Sequence, residues 1–129
     1  MHSHTLRVYY EDTDLAGIVY YANYLKFIER GRSEFLRSRG IDQVAIRRET
    51  GIVFAVRRVE IDYRAPAVFD DLLTVTTAIR DLRGARVVMA QNVLRGDAVL
   101  VQAVVTVAAL QADGRPARLP DILRAALAA

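Results

Sequence analysis

Residues 9–32 read YYEDTDLAGIVYYANYLKFIERGR, and their reading decides the fold. Three acids, Glu11, Asp12 and Asp14, follow an alternating polar–apolar run, Thr5–Tyr10, that reads as a strand. Leu15-Ala16-Gly17 then turns the chain, and Gly17 permits a tight bend. Asn23 is a candidate N-cap for a helix running to about Arg39, with Gly40 as its stop. At ~1.5 Å per residue this helix is about 25 Å long. Its apolar positions (Tyr24, Leu25, Phe27, Ile28, Phe35, Leu36) form a wide stripe, which predicts heavy burial. Gly31 lies on that stripe, where a missing side chain lets another backbone come close. A carboxylate held just ahead of a helix start faces free N–H groups that can polarise a carbonyl or hold an anion.

Outward from this stretch, a second short helix is predicted over Asp42–Thr50, ended by Gly51. Beyond it the pattern turns to sheet. Ile52–Tyr63 reads as a long strand, and Leu72–Asp81 and Arg86–Leu94 as a hairpin closed by Leu82-Arg83-Gly84-Ala85. Arg95-Gly96-Asp97 turns into Val99–Gln111, almost uniformly apolar and so expected at the sheet centre. Pro120 opens a last helix, Asp121–Leu127. One long apolar helix against five strands with short connections predicts an α+β domain over 1–129 with an antiparallel five-stranded sheet. The strand ending at Tyr63 is left with a free edge, so a homodimer or homotetramer is expected.

Composition narrows the chemistry. The 129 residues are 53% hydrophobic and 26% charged, an ordinary globular balance. Without cysteine there is no disulfide, thiolate nucleophile or thiolate metal site. The two histidines, His2 and His4, sit at a terminus expected to fray, which removes the base of a Ser-His-Asp hydrolase and of a histidine dehydratase. None of Ser3, Ser33 and Ser38 lies in a nucleophile elbow, and no P-loop or dinucleotide fingerprint occurs. Glu11 and Asp12 on a strand end would alternate faces and not converge with Asp14 on a metal. The formal charge of +3 is diffuse, which favours anionic ligands over nucleic acid. No segment is long and apolar enough to span a bilayer, and no signal peptide is seen. The expected compartment is the cytoplasm.

Residues 10–32 closely resemble the signature of hotdog-fold acyl-CoA thioesterases, shared by the 4-hydroxybenzoyl-CoA thioesterases and the Tol–Pal-associated acyl-CoA thioesterases. The matching residues are Tyr10-Glu11-Asp12-Thr13-Asp14, Gly17-Ile18-Val19-Tyr20-Tyr21, Asn23-Tyr24, Glu29-Arg30 and Arg32, and the likeness continues through Val59–Asp71. The spelling YYEDTD favours the Tol–Pal-associated branch, although many of its members carry histidine where this chain has Tyr21. The resemblance implies a hotdog fold, its sheet wrapped around the long helix. It also implies hydrolysis of a short-chain aliphatic or aromatic acyl-CoA to free acid and CoA, with no metal or redox cofactor.

By the same resemblance Asp14 is the catalytic acid, acting as nucleophile or as general base on water. Spacing alone would make it a turn aspartate. The backbone N–H of Tyr21 is implied as the carbonyl-polarising donor. Gly17, Val19, Tyr20, Asn23 and Tyr24 are implied near the substrate, and Arg57, Arg58, Arg83 and Arg86 are candidates for the CoA phosphates. Glu29 and Arg32, three apart on a helix, are expected to pair. A link to envelope machinery or to acyl-carrier protein is implied by the branch alone. A non-catalytic acyl-CoA or acyl-carrier-protein binding or scaffold module is the alternative reading.

Overall fold

Alternation writes two faces into the sheet. From Val101 to Ala109 the odd-numbered residues are buried, while Gln102, Val104, Thr106 and Ala108 on the other face are not. The buried face meets the apolar stripe of the long helix. The computed structural model describes residues 1–128. They run β1 (His2–Arg7), a 3-10 turn (Tyr10–Asp12), α1 (Asn23–Ser38), α2 (Gln43–Thr50), β2 (Val53–Tyr63), β3 (Leu72–Arg83), β4 (Arg86–Arg95), β5 (Ala98–Leu110) and α3 (Asp121–Ala128). The strands form one antiparallel sheet in the order β1-β3-β4-β5-β2. The α+β class, the five antiparallel strands and the open edge at β2 are as expected from the sequence.

α1 buries Tyr24, Phe27, Ile28, Gly31 and Phe35. Its first half packs in a cluster with Val75, Val93, Val101 and Val105, and its second half with Met89, Ala109, Leu119 and Leu123. A close approach does occur at Gly31, but by a side chain and not by the backbone expected: a Cβ there would stand 2.5 Å from Val75 Cγ1. Beside it, the buried Gln91 amide donates to the Ile28 carbonyl and to Thr77 Oγ1, both at 2.9 Å. These bonds satisfy a polar group that would otherwise be costly in the core.

Several local expectations are overturned. β1 lies earlier than expected: Tyr9 and Tyr10 leave it, because the Tyr9 N–H donates to Asp12 Oδ2 at 2.8 Å and the Asp12 N–H returns to the Tyr9 carbonyl at 3.0 Å. A side chain that satisfies its own backbone competes with a strand ladder. His2 and His4 do not fray. They pair with Thr77 and Val75, and the His2 ring meets Phe35 edge-on at 6.1 Å. Asn23 is not the N-cap, which is Ala22; it is the first residue of α1. Strand order was not legible either. Residues 64–71 do not close a hairpin, since β2 pairs with β5 while β3 lies between β1 and β4.

Candidate functional site

The crossover 64–71 positions the acid loop. Val19 N–H donates to the Ala67 carbonyl at 2.9 Å, and Ile18 bridges Val68. Tyr24, buried on α1, turns its hydroxyl to the Ala67 N–H at 2.9 Å. Burial pushes the Tyr24 phenol pKa up. Asp71 closes the crossover: its Oδ2 accepts from the Val68 N–H at 2.9 Å and from Arg95 at 2.8 Å. Burial alone would raise the Asp71 carboxyl, but these donors hold it below its ordinary value.

Within the loop, Thr13 bridges Val19 and Asp14 N–H donates to the Ile18 carbonyl at 2.9 Å. Asp14 thus opens a narrow pinched loop. Its Oδ1 accepts from the Ala16 N–H at 2.9 Å, and its carbonyl accepts from Gly17 at 3.0 Å. Gly17 has φ +81°, a left-handed conformation that glycine adopts without strain. The carboxylate is therefore oriented by one oxygen while the residue stays exposed. The loop returns to α1 through the Asp12 carbonyl, which accepts from the Tyr20 N–H and from the Asn23 side-chain amide, both at 2.9 Å.

At the helix start, among the described residues, no backbone carbonyl accepts from the N–H of Tyr21 or Ala22. Such groups, with the helix dipole behind them, suit a developing oxyanion. Tyr21 is exposed and packs edge-on against Tyr63 of β2 at 6.0 Å, and Tyr20 and Tyr24 adjoin these two rings. Burial, then the neighbouring Tyr21 and Tyr24, push the Tyr63 phenol pKa up.

The structure thus brings Asp14, Gly17, Tyr20, Tyr21 and Asn23 onto one surface. It does not expose all the residues expected near substrate. Val19 and Tyr24 lie in the core, where they hold the loop against α1. The CoA candidates are dispersed. Arg83 and Arg86 face each other at the β3–β4 turn, level with Ala108 and Ala55, at the end of the sheet away from Tyr63. Arg58 is paired with Glu60 at 3.2 Å and Arg83 with Asp81 at 3.1 Å. Glu29 and Arg32 do not form the expected pair among the described residues. Ser33 Oγ donates to Glu29, and Arg32 donates to Gln91 Oε1 at 3.2 Å. Burial draws the Arg32 pKa down, opposed by the Glu29 charge. Gln91 was missed in the sequence because its one signal, a polar residue on the inward register of a strand, appears only once the register is known.

Residues 16–102 match the family model described as the thioesterase superfamily. The acyl-CoA thioesterase YbgC of Haemophilus influenzae is 39% identical over 96% of this chain and 92% of its own length. A probable thioesterase from Bartonella henselae, whose crystal structure is known, is 45% identical, with a TM-score of 0.88 over 92% of this chain and 98% of that one. A 4-hydroxybenzoyl CoA thioesterase shares the fold at a TM-score of 0.90, with 22% identity over 98% of this chain and 97% of that one. With the acid loop, the helix start and the sheet in place, the chain belongs to the thioesterase superfamily and is a hotdog-fold thioester hydrolase.

Proposed function

We propose that this chain hydrolyses acyl-CoA thioesters, with Asp14 as the catalytic carboxylate and the Tyr21 N–H as the donor to the carbonyl oxygen. The observation that carries the reading is the pairing of an oriented carboxylate with unaccepted N–H groups at one helix start. The names of the Haemophilus, Escherichia and Helicobacter relatives support an acyl-CoA substrate. Asp14 takes a proton from water as its oxygen attacks the thioester carbon. The oxyanion leans on the helix N–H, the C–S bond breaks, and the proton passes to the departing thiolate. Direct attack by Asp14 reaches the same products through a mixed anhydride that water then opens. Loss of one such oxyanion donor typically costs about 3–4 kcal/mol of barrier. No metal or redox group takes part in either route.

The site is open on one chain, and a second copy completes it. β2 presents a free edge. Antiparallel joining of two β2 edges brings the β3–β4 turn of one copy, with Arg83 and Arg86, level with Tyr63 of the other. Arg57 and Arg58 then lie along the joint. That arrangement leaves Arg57 and Arg58 nearest the joint to meet the CoA phosphates, with Arg83 and Arg86 three and two strands from β2 on their own sheet, and a CoA ester as substrate fits a cytoplasmic site. Thiol release from a panel of acyl-CoA esters tests the reading. Release by the wild type and not by Asp14→Asn supports it. Esters that bind without releasing thiol overturn it in favour of a binding module.

A further inference from the structure

Arg95 ends β4, the middle strand of the sheet, and sends its side chain to the crossover 64–71. Its Nη1 donates to Asp71 Oδ2 at 2.8 Å and to the Pro66 carbonyl at 3.4 Å. The same Asp71 oxygen accepts from the Val68 N–H at 2.9 Å, so one carboxylate oxygen joins the guanidinium to the crossover backbone. Bonds to a charged acceptor of this kind are about twice as strong as neutral ones. From the crossover the connection runs into the acid loop. Val68 bridges Ile18, and the Ile18 carbonyl accepts from the Asp14 N–H at 2.9 Å. Ala67, between Pro66 and Val68, accepts from the Val19 N–H at 2.9 Å. Arg95 thus holds the crossover on both sides of the residue that receives Val19.

We infer that Arg95 is a positioning residue for the reaction: through Asp71 and the crossover it fixes where Asp14 stands relative to the start of α1. The inference rests on the thioesterase reading above and adds to it a residue that acts through others. Two observations carry it. Residues 66–68 are held from α1 by the Tyr24 hydroxyl and from β4 by Arg95 with Asp71, so the segment against which the acid loop leans is referenced to helix and sheet at once. The end of the crossover has anchors of its own. Asp70 takes a left-handed φ of +73°, Arg7 donates to its carbonyl at 2.9 Å, and its N–H donates to the Val8 carbonyl at 3.0 Å. Removing Arg95 therefore leaves the crossover attached to the chain that follows β1 and loosens the part that faces the acid loop. The fold rests on two apolar clusters and survives the loss of one partly exposed ion pair. A displacement of a reacting group by about 1 Å, in contrast, costs up to about a hundredfold in rate.

The test uses the full chain and the acyl-CoA ester that the wild type cleaves fastest. Arg95→Met keeps an unbranched stem and removes the guanidinium. Its kcat should fall by about ten- to a hundredfold while KM stays within about twofold. Arg95→Lys keeps a cation for Asp71 and should return part of that loss. Asp71→Asn together with Arg95→Met should cost no more than about twice the larger single loss, as expected for residues in one chain of bonds. Amide exchange reads the loop directly: the Asp14 and Val19 N–H groups should exchange about tenfold faster in Arg95→Met, with Val105 in the core unchanged. An unchanged kcat in Arg95→Met overturns the inference. So does a rise in KM alone, a loss in Arg95→Lys equal to that in Arg95→Met, or multiplied losses in the double variant. If Arg95→Met does not fold, Asp71→Asn takes its place, and a wild-type kcat there overturns the inference. If the wild type cleaves no ester, the thioesterase reading falls and exchange decides the tether: faster exchange at Asp14 and Val19 upholds it, and unchanged exchange overturns it.

Discussion

The Asn23 side-chain amide donates to the Asp12 carbonyl at 2.9 Å, so the first residue of α1 is fastened to the loop that carries Asp14. The same carbonyl takes the Tyr20 N–H. One backbone oxygen thus fixes the distance between the acid and the helix start. Asn23→Ala is expected to lower kcat by about ten- to a hundredfold, because small misplacements of reacting groups are costly. Its effect on unfolding free energy should be near 1 kcal/mol, the usual scale of one such bond. Steady-state kinetics beside a urea titration separates the two; a large stability loss with unchanged kcat would refute the positioning role.

Asp14→Asn keeps an oxygen for the Ala16 N–H and removes only the charge. Because Asp14 is exposed, stability should stay within about 0.5 kcal/mol of wild type. The rate should fall by about a hundred- to ten-thousandfold, the range of a lost general base. A thermal melt and an acyl-CoA assay on one preparation check both halves.

Gly31→Ala places a methyl 2.5 Å from Val75 Cγ1 in a fully buried contact. Overpacking of this kind costs about 1–3 kcal/mol. Val75→Ala in the same chain should return part of the loss, as expected for residues in direct contact. Two strictly additive penalties in the double-mutant cycle would show that the helix is not braced at this point.

Asp71 predicts an acid-sensitive crossover. Its folded pKa lies below the ordinary carboxylate value because the Val68 N–H and Arg95 favour the charged form. Its stabilisation is thus fully present above the unfolded value of about 3.9 and is lost as pH falls through the lower folded value. Asp71→Asn should cost about 1–2 kcal/mol near neutral pH. The gap between variant and wild type should close as pH drops below about 4. Urea midpoints across that range measure it; a gap constant with pH would show that the charge does not matter.

The local elements were legible in the sequence because their causes are local. Helical spacing from Tyr24 to Leu36, the glycine stops and the hairpin at Gly84 act over a few residues, and the structure keeps α1, α2 and the β3–β4 hairpin close to their expected bounds. The order acid, glycine turn, helix start was also written there, together with the family resemblance it carries. What only the tertiary structure decided depends on which faces are buried together. Strand order placed β2 at an edge and sent residues 64–71 across the acid loop, where Ala67 meets both Val19 and Tyr24. Burial made Val19 and Tyr24 supports of the loop and turned Asn23 from a cap into a tether. Register set Gln91 inward against α1 and carried Arg83 and Arg86 to the far end of the sheet. Short-range turn and helix chemistry needs only neighbours in sequence. Long-range pairing is chosen by the joint burial of several apolar faces, and no single stretch of the chain contains that choice.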